Sequence, residues 1–597
     1  MYFYINRFII IILFNAVISG YSSNENSVFI NITKQETNKL KVTYRYKKNI
    51  PNRNIFYFPR TVMGAYSDIP YTEYISDFAV YYNNGTSKSF SISKNNVDLS
   101  GIEYIDSLEF IIKSSWKKND HNERNIFEPE AIFVGDDLVL NFGSFGFFDV
   151  DQEKEHIINI NKWSKDIKYS TSMKMESENF NNIVFSSPTF NEMVDQPIFI
   201  GQNVKVSSFY ADDIEVEIAL ISEVDRFTND SLSQIIEPVV RECKKLLPKK
   251  IAGKYCFLFY ITKDNPLHFG ALEHNRSSLF YMGLNPYNFN STIEELAAHE
   301  FIHLLTPLHI STNKYQHLNL HDPKFSKHLW FYEGLTEYLS VKSLSNLVLA
   351  RSNDSLYFFR KIMYKNSRAK EFDNSINLLS MSEHIDKEEN QENFGNIYNK
   401  APVIWAVLDY HLLNETNGGV NLDTILRRMI NYTQVNGCFK EENLIDLIDQ
   451  YSDGILGKYI DSFIVNNSAI DIELYINNIG IELYKDTVSF DDCRYYHPTF
   501  RFGGKKLILT NSYLNETLGV KKLKILRIEG VDVEAKPTWV SMNLSGSQKD
   551  SLLLEVEIKG EIEKLVAYPK CKKVTIYLTK LRINSHSRFT EVFELLN

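Results

Sequence analysis

Cysteine is scarce in this chain, with five in 597 residues, at positions 243, 256, 438, 493 and 571. None sits at the short spacing of a metal-binding pair, so a disulfide-stapled scaffold and a cysteine-based zinc module are excluded. The odd number leaves at least one thiol unpaired; one bridged pair and otherwise buried thiols are expected. A basic excess is also missing: 65 Lys and Arg stand against 75 Asp and Glu, a net charge of −10. That balance offers no electrostatic field to nucleic acid. After the N-terminus no apolar run is long enough to cross a bilayer. No internal repeat or low-complexity tract is present.

What is present is globular: 44% of residues are hydrophobic, and the length calls for about three domains. Arg7 precedes an apolar run over 8–17, small residues follow at Ser19, Gly20 and Ser22, and no acid occurs before Glu25. This pattern predicts a cleaved signal peptide over 1–22, with an uncleaved anchor as the alternative, and a soluble exported protein, secreted or periplasmic. Short apolar or alternating runs at 28–32, 41–46, 78–82, 138–142 and 157–160 predict an N-terminal β-sandwich over 23–185. Strands at 214–222 and 256–262, a helix over 231–247, and many helices after residue 350 predict a mixed catalytic domain over 186–470. From 471 to 597 the pattern returns to β. The expected fold class is therefore multidomain α+β.

The chemistry concentrates in 291–338. A helix is predicted over 292–305, N-capped by Ser291 or Thr292 and stopped at Thr306-Pro307. It carries H-E-F-I-H at 299–303. Residues four apart share a helical face, so His299 and His303 can place two imidazoles on one zinc ion. Glu300 stands beside them as the general base. The aromatic run L-W-F-Y-E-G at 329–334 offers Glu333 as third ligand. A rival is His309, ten residues past His299. The metzincin spacing needs a glycine at position 306, where this chain has Thr306. His317, His321 and His328 are expected to be solvent-facing or hydrogen-bonded structural groups.

Two further segments bear on a substrate. Gly270-Ala271-Leu272-Glu273 lies beside an apolar run and can pair with an extended peptide backbone, leaving Glu273 to meet a free α-amino group. The other reading of Glu273 is a solvated turn residue. Tyr398 stands at the mouth of a predicted helix and can donate to a developing oxyanion, or be an ordinary packed tyrosine.

The runs H-E-F-I-H at 299–303, S-K-H-L-W-F-Y-E-G-L-T-E-Y at 326–338, G-A-L-E-H-N-R-S-S at 270–278 and Y-N-K-A-P at 398–402 together resemble the glycyl aminopeptidase family. This is the sixty-first metallopeptidase family, within the glutamate-ligand zincins. The resemblance implies a thermolysin-like catalytic domain with zinc on His299, His303 and Glu333 and with Glu300 as base. It also implies Tyr398 as oxyanion donor and Gly270, Ala271 and Glu273 as the substrate-binding edge. Peptides with a free N-terminus, beginning with glycine or alanine, are the implied substrates. Ala271 and Ala401 stand where the family has glycine. F-G-G-K-K at 502–506 and the run at 518–533 resemble a PDZ core, implying a PDZ-like C-terminal domain. Two other functions share these residues: an endopeptidase on the same zinc site, and a non-catalytic peptide-binding relative.

Overall fold

The computed structural model describes residues 27–46, 55–66, 71–100, 102, 105–114, 131–149, 152–247, 251, 253–263, 270–283 and 289–494. Beyond them it describes 499–503, 506–510, 522–532, 552–558, 561–567 and 570–583. The expected signal peptide lies outside the described residues.

Strand Val28–Glu36 runs inside an eight-stranded sheet, antiparallel to Lys39–Tyr46 and parallel to His156–Asn161. A four-stranded sheet, in which Ile198–Gly201 pairs with Asp137–Leu140, packs on it. Side chains along these two strands alternate in allegiance. Leu138, Leu140, Ile198 and Ile200 join the N-terminal core, while Val139 and Phe199 pack with Ala219, Ile221, Leu258 and Tyr260 of the next sheet. Burial on both faces explains why these strands read as continuous apolar runs. The N-terminal sheets therefore continue past residue 185, where the sequence pattern places the domain boundary, and they form one wall of a third layer.

That third layer is a five-stranded sheet. Its spatial order is Lys205–Ala211, Ile214–Ser222, Gly253–Ile261, Ser277–Met282 and Gly270–His274. Gly270–His274 occupies the edge, antiparallel to Ser277–Met282, with its other side unpaired among the described residues. Helix Phe289–Ile302 packs on the sheet through Phe301, whose ring lies 5.0 Å from Tyr255 and 6.2 Å from Phe257. The Tyr255 hydroxyl donates to the Glu300 carbonyl at 2.9 Å and ties the helix to the sheet. The helix starts before the expected caps, Ser291 and Thr292, because Phe289 stacks on Phe227 at 4.2 Å and carries the first turn back. It ends at Ile302, so His303 begins the turns that lead to Thr306.

Two long helices, Leu329–Ser352 and Gly395–Thr416, cross behind it. Trp330 and Trp405 stack at 5.4 Å, and the Trp405 indole N–H donates to the Trp330 carbonyl at 3.0 Å. At the crossing Gly334 faces Ala401. A Cβ on residue 334 would lie 2.5 Å from the Ala401 Cβ. The C-terminal part is β-rich: Ile481–Arg494 pairs antiparallel with Lys570–Ile583, a register that sets Cys493 opposite Cys571. Cys243, Cys256 and Cys438 are free thiols. No helix among the described residues is long and apolar enough to cross a membrane.

Gly334→Ala is expected to push these helices apart and lower stability by about 1–3 kcal/mol. The urea midpoint reads this directly; an unchanged midpoint would mean the crossing has slack.

Candidate active site

His299 comes from the last turn of helix Phe289–Ile302, His303 from the turn that follows it, and Glu333 from the second turn of helix Leu329–Ser352. All three are buried, with ligand atoms mutually within 4.8 Å. The Glu333 Oε2 lies 3.3 Å from His299 Nε2 and 3.6 Å from His303 Nε2. Two donors each about 2.0–2.2 Å from one tetrahedral ion stand roughly 3.3–3.6 Å apart, so the spacing suits zinc. The back of each ring is tied down. His299 Nδ1 donates to Glu337 Oε2 and His303 Nδ1 to the Thr306 carbonyl, both at 2.7 Å. With Nδ1 as donor, each Nε2 offers a lone pair toward Glu333. The His303 Nε2 is buried without a hydrogen-bond partner, as a ligand atom would be.

Glu337 was not singled out by sequence reasoning, although it lies one turn past Glu333 in the quoted run and on the same face. Lys365 holds its other oxygen at 2.5 Å. Tyr66 was missed altogether. The pattern around residues 57–66 reads as an aromatic patch for packing, yet the Tyr66 hydroxyl donates to Glu333 Oε1 at 2.8 Å in a buried contact. Its backbone carbonyl is held by Gln391 Nε2 at 2.7 Å. No spacing rule links residues 267 positions apart.

Glu300 is buried, and its Oε2 has no partner. Burial holds its carboxyl above the usual range; His299 opposes the shift, and Glu333 and Glu337 reinforce it. Glu273 sits on the free edge strand. Its carboxylate, that of Glu300 and a ring nitrogen of His303 also fall within 4.8 Å of one another. The Glu273 Oε1 is buried and unpartnered, and burial raises the group, with Glu333 and Glu300 adding to it. Gly64, at φ +80°, brings N-terminal-domain backbone so close that a Cβ would lie 2.5 Å from that oxygen. The Tyr398 hydroxyl donates to Glu333 Oε2 at 3.0 Å, so this tyrosine stands at the cluster. A cavity of about 350 Å³ is lined by Gly270, Ala271, Glu273, Glu300 and Tyr398, together with His299 and Glu333 of the cluster.

The other histidines stay apart. His309 Nδ1 donates to the Leu304 carbonyl at 2.6 Å, turned back onto its own chain. The His321 ring lies tilted against that of Tyr57 with centroids 3.6 Å apart, and His328 Nε2 donates to the Glu441 carbonyl at 2.8 Å. Among the described residues, the cluster that could hold a metal through two histidines is therefore completed by Glu333 and not by a third histidine.

Comparison with known proteins agrees with this geometry. Residues 27–202 match the family model described as the peptidase M61 N-terminal domain, and residues 292–404 match the M61 glycyl aminopeptidase model. No curated protein matches the chain. A crystal structure of an aminopeptidase N family protein from Idiomarina loihiensis is 16% identical, with 96% of this chain and 100% of that chain covered at a TM-score of 0.71. An M1 zinc metallopeptidase from Deinococcus radiodurans is 10% identical over 74% of this chain and 94% of that one, at a TM-score of 0.44. Legionella pneumophila aminopeptidase A in complex with aspartic acid is 10% identical over 94% and 58% of the two chains, at a TM-score of 0.45. The first of these shows the same fold. The two family models, which together span just under half of the chain, and the His-His-Glu cluster mark a zinc-dependent metallopeptidase of the aminopeptidase type, similar to the glycyl aminopeptidase family.

Proposed function

We propose that the protein is an exported aminopeptidase that removes the first residue of peptides with a free N-terminus. The observation that carries this reading is the meeting of Glu273, on a sheet edge unpaired among the described residues, with Glu300 and His303 within 4.8 Å. An acid at that place fixes a substrate by its ammonium group, and the distance to the cluster then admits one residue before the scissile bond. Gly270 and Ala271 offer backbone groups to the extended chain beyond it. Of first residues, glycine and alanine are those the family resemblance implies. Export rests on the signal-peptide pattern over 1–22, and PDZ-like character of the C-terminal part rests on the runs at 502–506 and 518–533.

His299, His303 and Glu333 would hold a zinc ion, which would supply a Lewis acid for the carbonyl and acidify water. Glu300 accepts the proton of the attacking water and returns it to the departing amine nitrogen. Its Oε2, buried and without a hydrogen-bond partner, is free to take that proton. Tyr398 donates to the carbonyl oxygen as charge develops there. Tyr66 and Glu337 hold Glu333 and His299 in the orientation that directs Oε2 and Nε2 to one point.

Glu300→Gln is expected to keep stoichiometric zinc and lose activity by about 10²–10⁴-fold; turnover near the native rate would refute the base. Glu333→Ala should lose the metal while His309→Ala keeps it, by metal analysis. Tyr66→Phe should release zinc to a chelator with an affinity about 10–100-fold weaker; unchanged retention would make the contact incidental. An alanyl reporter should be cleaved about 100-fold faster or more with a free amine than when N-acetylated. Equal rates would favour an endopeptidase.

A further inference from the structure

Two cavities follow one another along the edge strand and meet at Glu273. The first borders Gly270, Ala271 and Leu272, toward the start of the strand. The second, of about 360 Å³, borders His274 and Asn275, toward its end, and opens on His303. A peptide with its ammonium on Glu273 and its first carbonyl at the metal cluster leads its departing chain past Ala271 and Gly270. The side chain of its first residue then falls toward the second cavity.

The lining of that cavity is one-sided in charge. Glu153, Glu192 and Asp195 of the N-terminal domain line it together with Glu273, and no lysine or arginine does among the described residues. The acids are positioned by the strand itself. The Asn275 backbone N–H donates to the Asp195 carbonyl at 2.9 Å, His274 Nδ1 to Asp195 Oδ1 at 3.0 Å, and Asn275 Nδ2 to Glu192 Oε2 at 3.5 Å. Burial raises the Glu192 carboxyl, and Asp195 and Glu153 raise it further. Such mutual repulsion is relieved by an incoming cation. Two buried polar atoms on lining residues, Glu273 Oε1 and His274 Nε2, have no hydrogen-bond partner. One ammonium would occupy Glu273; Glu192, beyond the end of the strand, is left for a second positive group, with Asp195, already bound to His274 through Oδ1, beside it. Between them Met63 and Leu308 supply apolar wall.

We propose that this cavity is the first-residue pocket and that it takes a cationic side chain, lysine or arginine. The aliphatic stem lies on Met63 and Leu308, and the charged head reaches Glu192 and Asp195. The assignment rests on the aminopeptidase reading and departs from the small first residue that the resemblance implies.

The test is a panel of free-amine reporters on the zinc-loaded full chain, with lysine, arginine, norleucine, alanine, glycine or glutamate as the aminoacyl group. Norleucine matches the lysine stem without its charge. Lysine is expected to exceed norleucine in kcat/KM by about tenfold or more, with glutamate the poorest. Glu192→Gln should lower the lysine-to-norleucine ratio by about tenfold. If that variant misfolds, the fall of the same ratio with added salt in the unmodified protein reads the same charge. Norleucine equal to lysine, or glycine and alanine preferred, would overturn the pocket and leave the aminopeptidase standing. Cleavage of none of the reporters would bring down both.

Discussion

Everything in the catalytic domain depends on how two imidazole rings are held from behind. His299 Nδ1 is committed to Glu337 and His303 Nδ1 to the Thr306 carbonyl. Each ring therefore has one free nitrogen, and both are aimed at the same carboxylate oxygen. The i, i+4 spacing alone puts the rings on one face; it does not choose which nitrogen points inward. That choice is made by Glu337, which Lys365 neutralises, and by a turn that begins where the helix ends at Ile302. The crossing of Gly334 on Ala401 and the stacking of Trp330 on Trp405 set the height of Glu333 against the rings.

Around that point the protein collects carboxylates that an ordinary core would reject. Glu273, Glu300, Glu333 and Glu337 all lie at one cavity. An isolated buried carboxylate costs several kcal/mol, by general experience of desolvated ions. Glu333 and Glu337 are answered by histidines, tyrosines and a lysine, whereas Glu273 Oε1 and Glu300 Oε2 have no partner. The unanswered pair are those the proposed reaction uses, one to hold an ammonium and one to carry a proton. The N-terminal domain takes part in this arrangement. It presses Gly64 against Glu273, sends Tyr66 to Glu333, and lines the neighbouring cavity with acids.

The legible part of the site was the part encoded by short-range spacing. His299, Glu300 and His303 lie in a single turn and a half, and W-F-Y-E-G marks its glutamate by the buried aromatics around it. Glu337 was within reach of the same reasoning, since an acid one turn beyond a ligand shares its face. Tyr66, Gly64, Glu192 and Asp195 were not, because they arrive through the packing of one domain on another. The domain boundary blurred for a related reason. Strands 137–140 and 198–201 are buried on both faces, so their apolar runs carry no sign of which layer they serve. Helix ends shifted where a tertiary contact outweighed local capping, as Phe289 on Phe227 shows. His309 had the right distance in sequence, yet the turn after His303 directs its Nδ1 back to the Leu304 carbonyl.

X-ray absorption at the zinc edge of the purified protein tests the central claim most directly. The geometry predicts two imidazole nitrogens with the remaining first-shell donors all oxygen, at about 2.0–2.2 Å, and no sulfur. A third imidazole, a thiolate, or a protein that binds no zinc would contradict it.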